Sequence, residues 1–410
     1  MPFDRHPVAP PQPARLSPRI PLRQLRDPHL HIGPEAGDTD SDTALLLEWA
    51  AALKAEQPRV LGYPGSLDFD YAALAPLLSV LANNVGDPAS ADASAIHAKA
   101  YEQAVIDYFA QSAGTDPDAV YGYMTAGGTE GLLFGLATAR SALPHAPVYA
   151  SDQAHYSVGK AARLLGLQLI TVASRPDGTM DPDDLGSKLR KQTLLAPRNQ
   201  PPGVIVLATI GTTMRGAYDD VTVLREAAAM FGAVYVHADA ALGGFIAAHA
   251  PSLPRWSFRH GADSVSISGH KMIGMPVPCG VVLARWHLVP DASSGEYVQA
   301  TDRTLGCSRS GLAAVLMWSA LRRLGYTGMR TRVLSCLDVA RYAADRLAAA
   351  GARPSRPTDS VVVCFDRPTP EIVDRWHLAC EGDRAHIVTV AHVDRAAVDE
   401  LCADLSRMQR

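Results

Sequence analysis

Short apolar runs alternate with helix-like stretches through the middle of the chain, and this order limits the possible folds more than any other feature. The apolar runs are typical of buried parallel strands and cover residues 147–151, 167–173, 203–210, 234–240, 263–268 and 281–285. The helix-like stretches include residues 99–113, 127–139, 155–165, 181–191 and 220–231. This alternation predicts an α/β domain with a mostly parallel sheet, whose ligand lies beyond the carboxyl ends of the strands.

The two flanks of this region have different patterns. Residues 27–40 contain dispersed Pro, Gly and Asp, which predict an arm or linker, and residues 43–54 have the apolar spacing of an amphipathic helix. After about residue 306 come longer helices at 313–324 and 334–350, a strand at 360–365 and a final helix at 395–410. We therefore predict an N-terminal arm and helix at 1–60, a large domain at 61–305 and a smaller C-terminal α/β domain at 306–410.

Charge and composition exclude several classes of partner. A formal net charge of −4 over 410 residues gives no strong field for attracting nucleic acid or an anionic membrane. The chain has no run of roughly 18 apolar residues for a membrane span, and its first residues lack the apolar run of a secretory signal. Its six cysteines form no CxxC pair and are interpreted as reduced thiols, so no metal site is predicted. We expect a cytoplasmic protein that acts on a small molecule.

Two of the apolar runs end in side chains that can carry chemistry. The run SVSIS at 264–268 is followed by Gly-His-Lys, which puts His270 and Lys271 at the tip of a strand. A partly desolvated lysine there can form an imine with an aldehyde cofactor, although a lone lysine is more often a solvated surface residue. The run YVHAD at 235–239 ends in Asp239, which either pairs with a protonated pyridine nitrogen or caps the following turn.

Two further segments add to this pattern. Gly127, Gly128 and Thr129 open a predicted helix, where free backbone N–H groups favour a phosphate. Thr129 could instead be an ordinary N-cap, and the GxxxxGK[ST] pattern of an ATP-binding loop is absent. His155 follows a strand and could lie flat over an aromatic ring, although a lone histidine is more often structural. The joint occurrence of these groups, each at a strand end or a helix start, favours one cofactor site.

Taken together and in this order, the segments resemble one family. The chain is similar to the group II pyridoxal 5'-phosphate (PLP)-dependent decarboxylases of the type I, aspartate-aminotransferase-like fold, most closely the bacterial PLP-type histidine decarboxylases and plant serine decarboxylases. The resemblance runs from about Leu61 to the C-terminus and includes LGYPGSLDFDY (61–71), NNVGDP (83–88), GGTEG (127–131), HYSVGKAARL (155–164), IGTTMRGAYDD (210–220), HADAAL (237–242), SISGHKMIGMPVPCG (266–280) and GDRAHIVTVAHV (382–393). It implies a type I PLP fold, with PLP as the cofactor.

The resemblance also implies roles for individual residues. Lys271 would hold PLP as a Schiff base, Asp239 would pair with the pyridine nitrogen, and His155 would stack on the ring. Ala241 would pack on the opposite ring face and Thr212 would lie near the cofactor. The phosphate would be held by Gly128, Thr129, Ser268 and His270, with Ser308 as a further contact from a neighbouring subunit. Because type I enzymes generally place their sites at a dimer interface, a homodimer or a dimer of dimers is implied.

The implied reaction is decarboxylation of an L-amino acid, which releases CO2 and a primary amine. The substrate amine would displace Lys271, and the pocket would hold the Cα–carboxylate bond perpendicular to the cofactor ring. An acid must then protonate Cα, and His155 and Tyr297 are the candidates. Tyr297 lies in a segment between Lys271 and Gly306, although a packed aromatic side chain would explain it equally well.

The positions expected to face the substrate are Asn84, Ser94, Ala126, Leu132 and Ser310. At all of these except Asn84 the chain departs from the family pattern, and polar groups are replaced by smaller or apolar ones. Because polar recognition depends on such groups, the substrate is expected to be histidine or a less usual, bulkier amino acid. Serine is the alternative, supported by the LDFDY segment and His97. Oxidative deamination, transamination and a chain that has lost its chemistry are further alternatives.

Overall fold

A computed structural model of the chain describes residues 30–90, 94–195, 203–297 and 299–407. The chain divides into two compact units, Met1–Val60 and Leu61–Arg410. The described part of the first unit contains the helix α1 (Thr39–Glu56), which begins before the predicted 43–54. Asp40 and Asp42 in its first turn and Lys54 in its last turn complement the helix dipole.

The second unit contains a large sheet, a small sheet and the helices that cover them. Its helices are α2 (Lys99–Ser112), α3 (Gly128–Ala142), α4 (Ser157–Leu165), α5 (Pro182–Leu195), α6 (Val221–Ala229), α7 (Gly243–Ala247), α8 (Gly269–Met272), α9 (Gly311–Ala349), α10 (Pro370–Arg375) and α11 (Arg395–Arg407). Its strands are β1 (Asn83–Val85), β2 (Val120–Thr125), β3 (Val148–Ser151), β4 (Leu169–Val172), β5 (Gly203–Thr209), β6 (Ala233–Asp239), β7 (Ser264–Ser268), β8 (Gly280–Arg285), β9 (Ser293–Gly295), β10 (Ala300–Asp302), β11 (Ser308–Ser310), β12 (Val362–Asp366), β13 (Ala379–Glu381) and β14 (Arg384–Val388).

The large sheet has seven strands in the order β2-β8-β7-β6-β5-β3-β4. Every pair from β7 through β6, β5 and β3 to β4 is parallel. The strands β5, β6 and β7 are buried almost throughout, because helices cover both faces of the sheet. The predicted α/β class with a mostly parallel central sheet is confirmed.

One edge of the sheet differs from the prediction. The run at 281–285 was expected among the parallel strands, but β8 is antiparallel to both β7 and β2. A parallel neighbour needs a crossover connection, and the segment between β7 and β8 contains only the one-turn helix α8 and a short loop. The sequence prediction also missed β2, which pairs with β8 at the edge of the sheet.

The C-terminal region has a hydrophobic cluster of its own. The small antiparallel sheet β12-β14-β13 packs against the end of α9 and against α11, with Phe365, Trp376 and Leu401 fully buried. The two helices predicted at 313–324 and 334–350 belong to the single long element α9, which breaks at Gly325, where φ is 59°. The boundary predicted near residue 305 stays a prediction.

Two general properties of the described residues complete the fold. In the ranges that the structure describes, no helix combines the length and the apolar character needed to cross a membrane. All six cysteines lie within these ranges, and each is a free thiol.

Candidate active site

A cavity of about 630 Å³ lies at the carboxyl ends of the parallel strands. Three neighbouring strands supply its lining with their last residues: β5 with Thr209, β6 with Asp239 and β7 with Ser268. Parallel strands all end at the same edge of the sheet, so residues distant in sequence meet there. Together with Gly128, Thr129, His155 and Lys271, these residues form what we call the sheet-edge wall.

Lys271 lies in the one-turn helix α8, directly after β7, and lines the cavity. Burial lowers the pKa of its amine, and the nearby Asp239 carboxylate opposes this shift. Its backbone carbonyl accepts a hydrogen bond from the Ser66 N–H at 2.7 Å, which ties α8 to the segment after Val60. A larger neutral fraction makes this amine a better nucleophile than a solvated lysine.

The Asp239 side chain is buried at the end of β6 and accepts a hydrogen bond from the Ala241 N–H at 3.2 Å. Two residues earlier on the same strand lies His237, whose Nδ1 and Nε2 are 2.7 and 3.2 Å from the hydroxyl oxygens of Ser264 and Ser266. Burial lowers the pKa of His237 to about 4, so this ring is neutral at neutral pH. His237 is therefore not a cation that competes for the Asp239 carboxylate, and this carboxylate can accept a hydrogen bond from a donor in the cavity.

The residues at the start of α3 form a cradle that fits a phosphate group. The helix begins at Gly128, so its first backbone N–H groups have no partner within the helix. A Cβ atom added to Gly128 would lie 2.9 Å from the Ser268 hydroxyl oxygen, so a larger residue would fill the cradle. That hydroxyl is buried and has no hydrogen-bond partner in the described part of the chain. Orphaned donors of this kind suit the phosphate of PLP.

His155 lines the same cavity, and its hydrogen bonds set its tautomer. The Ser157 backbone N–H donates to Nδ1 at 3.3 Å, and the Ser157 hydroxyl lies 2.7 Å from the same nitrogen. Because an N–H can only donate, Nδ1 is the acceptor and the neutral ring carries its proton on Nε2. Burial and the Lys271 charge lower the pKa of His155, while Asp239 raises it.

The opposite side of the cavity was not predicted. It consists of residues from the segment after Val60 and from the small sheet, and we call it the small-sheet wall; its members are Gly62, Tyr63, Pro64, Ala379, His386 and Val388. The backbone of residues 61–62 runs beside the small sheet as a further strand-like segment. The Leu61 and Gly62 N–H groups donate to the Trp376 and His377 carbonyls at 3.2 Å, and Leu61 accepts from the Val388 N–H.

His386 fixes this wall from within the small sheet. It is 2% exposed, with Nε2 lying 3.1 Å from the Gly62 carbonyl oxygen and Nδ1 lying 3.3 Å from the Met214 carbonyl oxygen. Burial lowers the pKa of His386, whereas the two carbonyl contacts raise it. Both ring nitrogens of His386 therefore face backbone carbonyl oxygens. Gly62 and His386 lie in the segments 61–71 and 382–393, both of which resemble the family. Nothing in either segment indicated that the two residues meet.

Most cofactor residues expected from the resemblance lie on this cavity, and two, Thr212 and Ser308, do not. Gly128, Thr129, His155, Asp239, Ala241, Ser268, His270 and Lys271 all line it. Thr212 is fully buried outside the lining, because its hydroxyl turns back to accept the Ala217 N–H at 3.0 Å. Its neighbours Gly211 and Thr213 line the cavity in its place.

The expected substrate residues are mostly elsewhere in this chain. Ala126 lines the cavity. The buried Asn84 side chain donates to Glu102 and accepts the Ala98 N–H. Leu132 packs in the core, because it lies on the face of α3 that covers the sheet. The Ser94 hydroxyl accepts the Ile96 N–H.

Three further predicted residues, Ser308, Ser310 and Tyr297, also lie outside the lining. Ser308 and Ser310 are exposed on β11, and the Ser310 hydroxyl caps α9 by accepting the Ala313 N–H at 3.1 Å. Tyr297 is 87% exposed, so it is not a packed aromatic side chain. The roles assigned to these residues stay predictions.

Known proteins give independent information about this site. Residues 136–366 match the pyridoxal-dependent decarboxylase conserved domain. A histidine decarboxylase from Acinetobacter baumannii is 39% identical over 351 residues, which cover 84% of this chain and 90% of that protein. Serine decarboxylase 2 from Oryza sativa is 40% identical over 338 residues, which cover 81% and 71% of the two chains.

A solved structure agrees with the fold and the cofactor. The L-methionine decarboxylase from Streptomyces sp. 590 superimposes with a TM-score of 0.82 at 25% identity, over 93% of this chain and 98% of the other. The expected type I fold, PLP cofactor and reaction class are thereby confirmed. The chain belongs to the pyridoxal-dependent decarboxylases and is an amino-acid decarboxylase that uses PLP.

Proposed function

We propose that the substrate is an L-amino acid whose side chain is bulkier and less polar than that of serine, with histidine at the polar end of this range. One observation carries the proposal: the composition of the small-sheet wall. Pro64, Ala379 and Val388 offer no side-chain hydrogen-bonding group, and both nitrogens of His386 already face backbone carbonyl oxygens. The remaining polar member, Tyr63, is 54% exposed. A small hydroxyl group that packs against the other members would lose its water without gaining a hydrogen-bond partner.

The relatives support a range of substrates. The Acinetobacter relative is named a histidine decarboxylase and the Streptomyces structure a methionine decarboxylase, and both names fit a pocket for a longer side chain. The rice relative is named a serine decarboxylase and matches at 40% identity, so serine is the second candidate. His97, which had supported serine, is exposed and lies outside the cavity lining.

We propose roles for the residues of the sheet-edge wall. Gly128, Thr129 and Ser268 hold the phosphate, supported by the unpartnered N–H groups of α3 and the orphaned Ser268 hydroxyl. Asp239 pairs with the ring nitrogen, and Lys271 provides the amine that binds the cofactor covalently. His270 also lines this part of the cavity, with Nδ1 3.0 Å from the Cys279 carbonyl oxygen.

The chemistry divides between the cofactor and the chain. Bound PLP supplies an electron sink for the electron pair that remains when the Cα–carboxylate bond breaks. Asp239 supplies the negative charge that keeps a proton on the ring nitrogen. Lys271 contributes a nucleophile whose lowered pKa raises its neutral fraction. His155 holds a proton on Nε2, which suits it to donate a hydrogen bond within the cavity.

The acid that protonates Cα is proposed to be Tyr297 or His155. Tyr297 is exposed and does not line the cavity of its own chain, so it would act on the site of a second copy. Ser308 is also exposed, and it also lies outside the cavity lining of its own chain. We therefore propose a homodimer, and it is supported by exposed apolar side chains in the second unit at Leu78, Val80, Leu81 and Ile96.

Subunit mixing tests the shared site. Lys271→Ala and Tyr297→Phe are each expected to be nearly inactive. If each site takes Lys271 from one copy and Tyr297 from the other, dimers re-formed from an equal mixture recover about a quarter of wild-type activity. A mixture no more active than its parents would contradict the sharing of Tyr297.

The substrate proposal is tested with a panel of single amino acids. The PLP-loaded protein is incubated with histidine, methionine, leucine, phenylalanine or serine, and each amine is identified and quantified by mass. We expect kcat/KM to favour histidine or one of the bulkier substrates over serine by about tenfold or more, the scale of pocket discrimination. Serine as the fastest substrate would overturn the proposal and favour the second candidate.

A further inference from the structure

Thr209, the last residue of β5, has a side chain that the known roles do not explain. It lines the cavity, is 3% exposed, and its hydroxyl has no hydrogen-bond partner within the described ranges of the chain. The backbone around it is well bonded, since its own N–H donates to Asp219 at 2.8 Å and the next N–H donates to the Asp239 carbonyl. Only the hydroxyl remains unsatisfied.

The sheet register puts this hydroxyl beside Asp239. Thr209 and Asp239 are register partners on the parallel strands β5 and β6. Side chains of register partners point to the same face of a sheet, about 5 Å apart. On the other side, the register partner of Asp239 is Ser266, and the orphaned hydroxyl of Ser268 lies two residues further along β7. Of the two orphaned hydroxyls, that of Thr209 is therefore the one level with the aspartate.

A buried hydroxyl without a partner costs about 1–3 kcal/mol, and such groups are rare in folded proteins. The cost disappears if a ligand supplies the partner. We propose that Thr209 is a further cofactor-binding residue, whose hydroxyl hydrogen-bonds the polar edge of the PLP ring next to Asp239. The proposal rests on the proposed roles of Asp239 and Lys271. Thr209 lines the cavity, whereas Thr212, which the resemblance places near the cofactor, lies outside the lining with its hydroxyl accepting the Ala217 N–H.

The isosteric change Thr209→Val separates a ligand contact from a structural one. In the cofactor-free protein it removes an unpaired polar group, so thermal stability is expected to be equal to or higher than that of the wild type. In the loaded protein it removes one hydrogen bond to the ligand. PLP affinity, measured by titrating the cofactor-free protein, is expected to fall about three- to tenfold, and the visible absorption band of the bound cofactor is expected to shift. Thr209→Ser keeps the hydroxyl and is expected to bind PLP within about twofold of the wild type.

Thr389→Val is the matched control. Thr389 is fully buried, and its hydroxyl donates to the Cys336 and Val361 carbonyls at 3.0 and 3.1 Å. This variant is expected to lose thermal stability with and without PLP, at unchanged PLP affinity. Unaltered PLP affinity and absorption in Thr209→Val would overturn the proposal, as would a loss of stability in its cofactor-free form. If no amino acid is turned over while Thr209→Val still binds PLP more weakly, the substrate proposal fails and the Thr209 proposal stands.

Discussion

The two walls of the cavity differ in how they are built. Each residue of the sheet-edge wall follows a strand or opens a helix, so its position is set by a local element whose ends can be read from the sequence. The small-sheet wall joins residues near position 62 to residues near position 386, which are held together by backbone pairing, by His386 and by the packing of Leu61 against the small sheet. We propose that the first wall serves the cofactor and that the second contacts the substrate.

The largest effect is expected at the sheet-edge wall. Asp239→Asn removes the charge proposed to keep the ring nitrogen protonated, so kcat at saturating PLP is expected to fall about 100-fold or more. The asparagine oxygen can still accept the Ala241 N–H, so the fold is expected to be retained.

Asp399→Asn is the control. Asp399 lies on α11, pairs with Arg346 of α9 at the surface, and does not line the cavity. It is expected to keep wild-type kcat. An Asp239→Asn variant with nearly full kcat would show that the chemistry does not depend on this wall as proposed.

The same contrast explains what the sequence could predict. Lys271, Asp239 and Ser268 were predictable because an apolar run ends at a polar residue, and parallel strands bring such ends together. The direction of β8 was not predictable, because an apolar run carries no information about whether its neighbouring strand is parallel or antiparallel. The place of His386 in the cavity wall was not predictable, because its hydrogen-bond partners lie 324 and 172 residues away along the chain. Thr212 lies outside the cavity lining with its hydroxyl turned towards Ala217, and its place near the cofactor stays a prediction.

A second variant tests how tightly the small-sheet wall is packed. A Cβ atom at Gly62 would lie 2.3 Å from the Ala379 nitrogen and 2.6 Å from the His377 oxygen, so the backbone must move. Gly62→Ala is expected to lower the free energy of unfolding by about 1–3 kcal/mol, the usual cost of overpacking. It is also expected to raise KM for the amino acid more than it lowers kcat, because the moved wall is the one proposed to contact the substrate.

Gly306→Ala is the matched control, since a Cβ atom there meets nothing within 4 Å. Urea unfolding and steady-state kinetics on both variants make the comparison. If KM and stability are the same in Gly62→Ala and Gly306→Ala, the close packing of this wall is refuted.

The smallest effect is expected at His386. His386→Phe keeps a planar ring but removes the single N–H that the neutral imidazole donates to one of the Gly62 and Met214 carbonyl oxygens, which is expected to cost about 1 kcal/mol of stability. His386→Gln retains one donor group and is expected to recover part of this loss. With either substitution KM is expected to change more than PLP affinity, because His386 belongs to the wall proposed to contact the substrate. A loss of PLP affinity without a change in KM would contradict this expectation and would indicate that the two walls act as one functional unit.

Reduction of the PLP-loaded protein with borohydride, followed by peptide mass analysis, tests the central claim most directly. The visible band is expected to disappear, and one reduced phosphopyridoxyl group is expected on the peptide containing Lys271. A label on another lysine, or a cofactor that leaves the protein unlabelled after reduction, would contradict it.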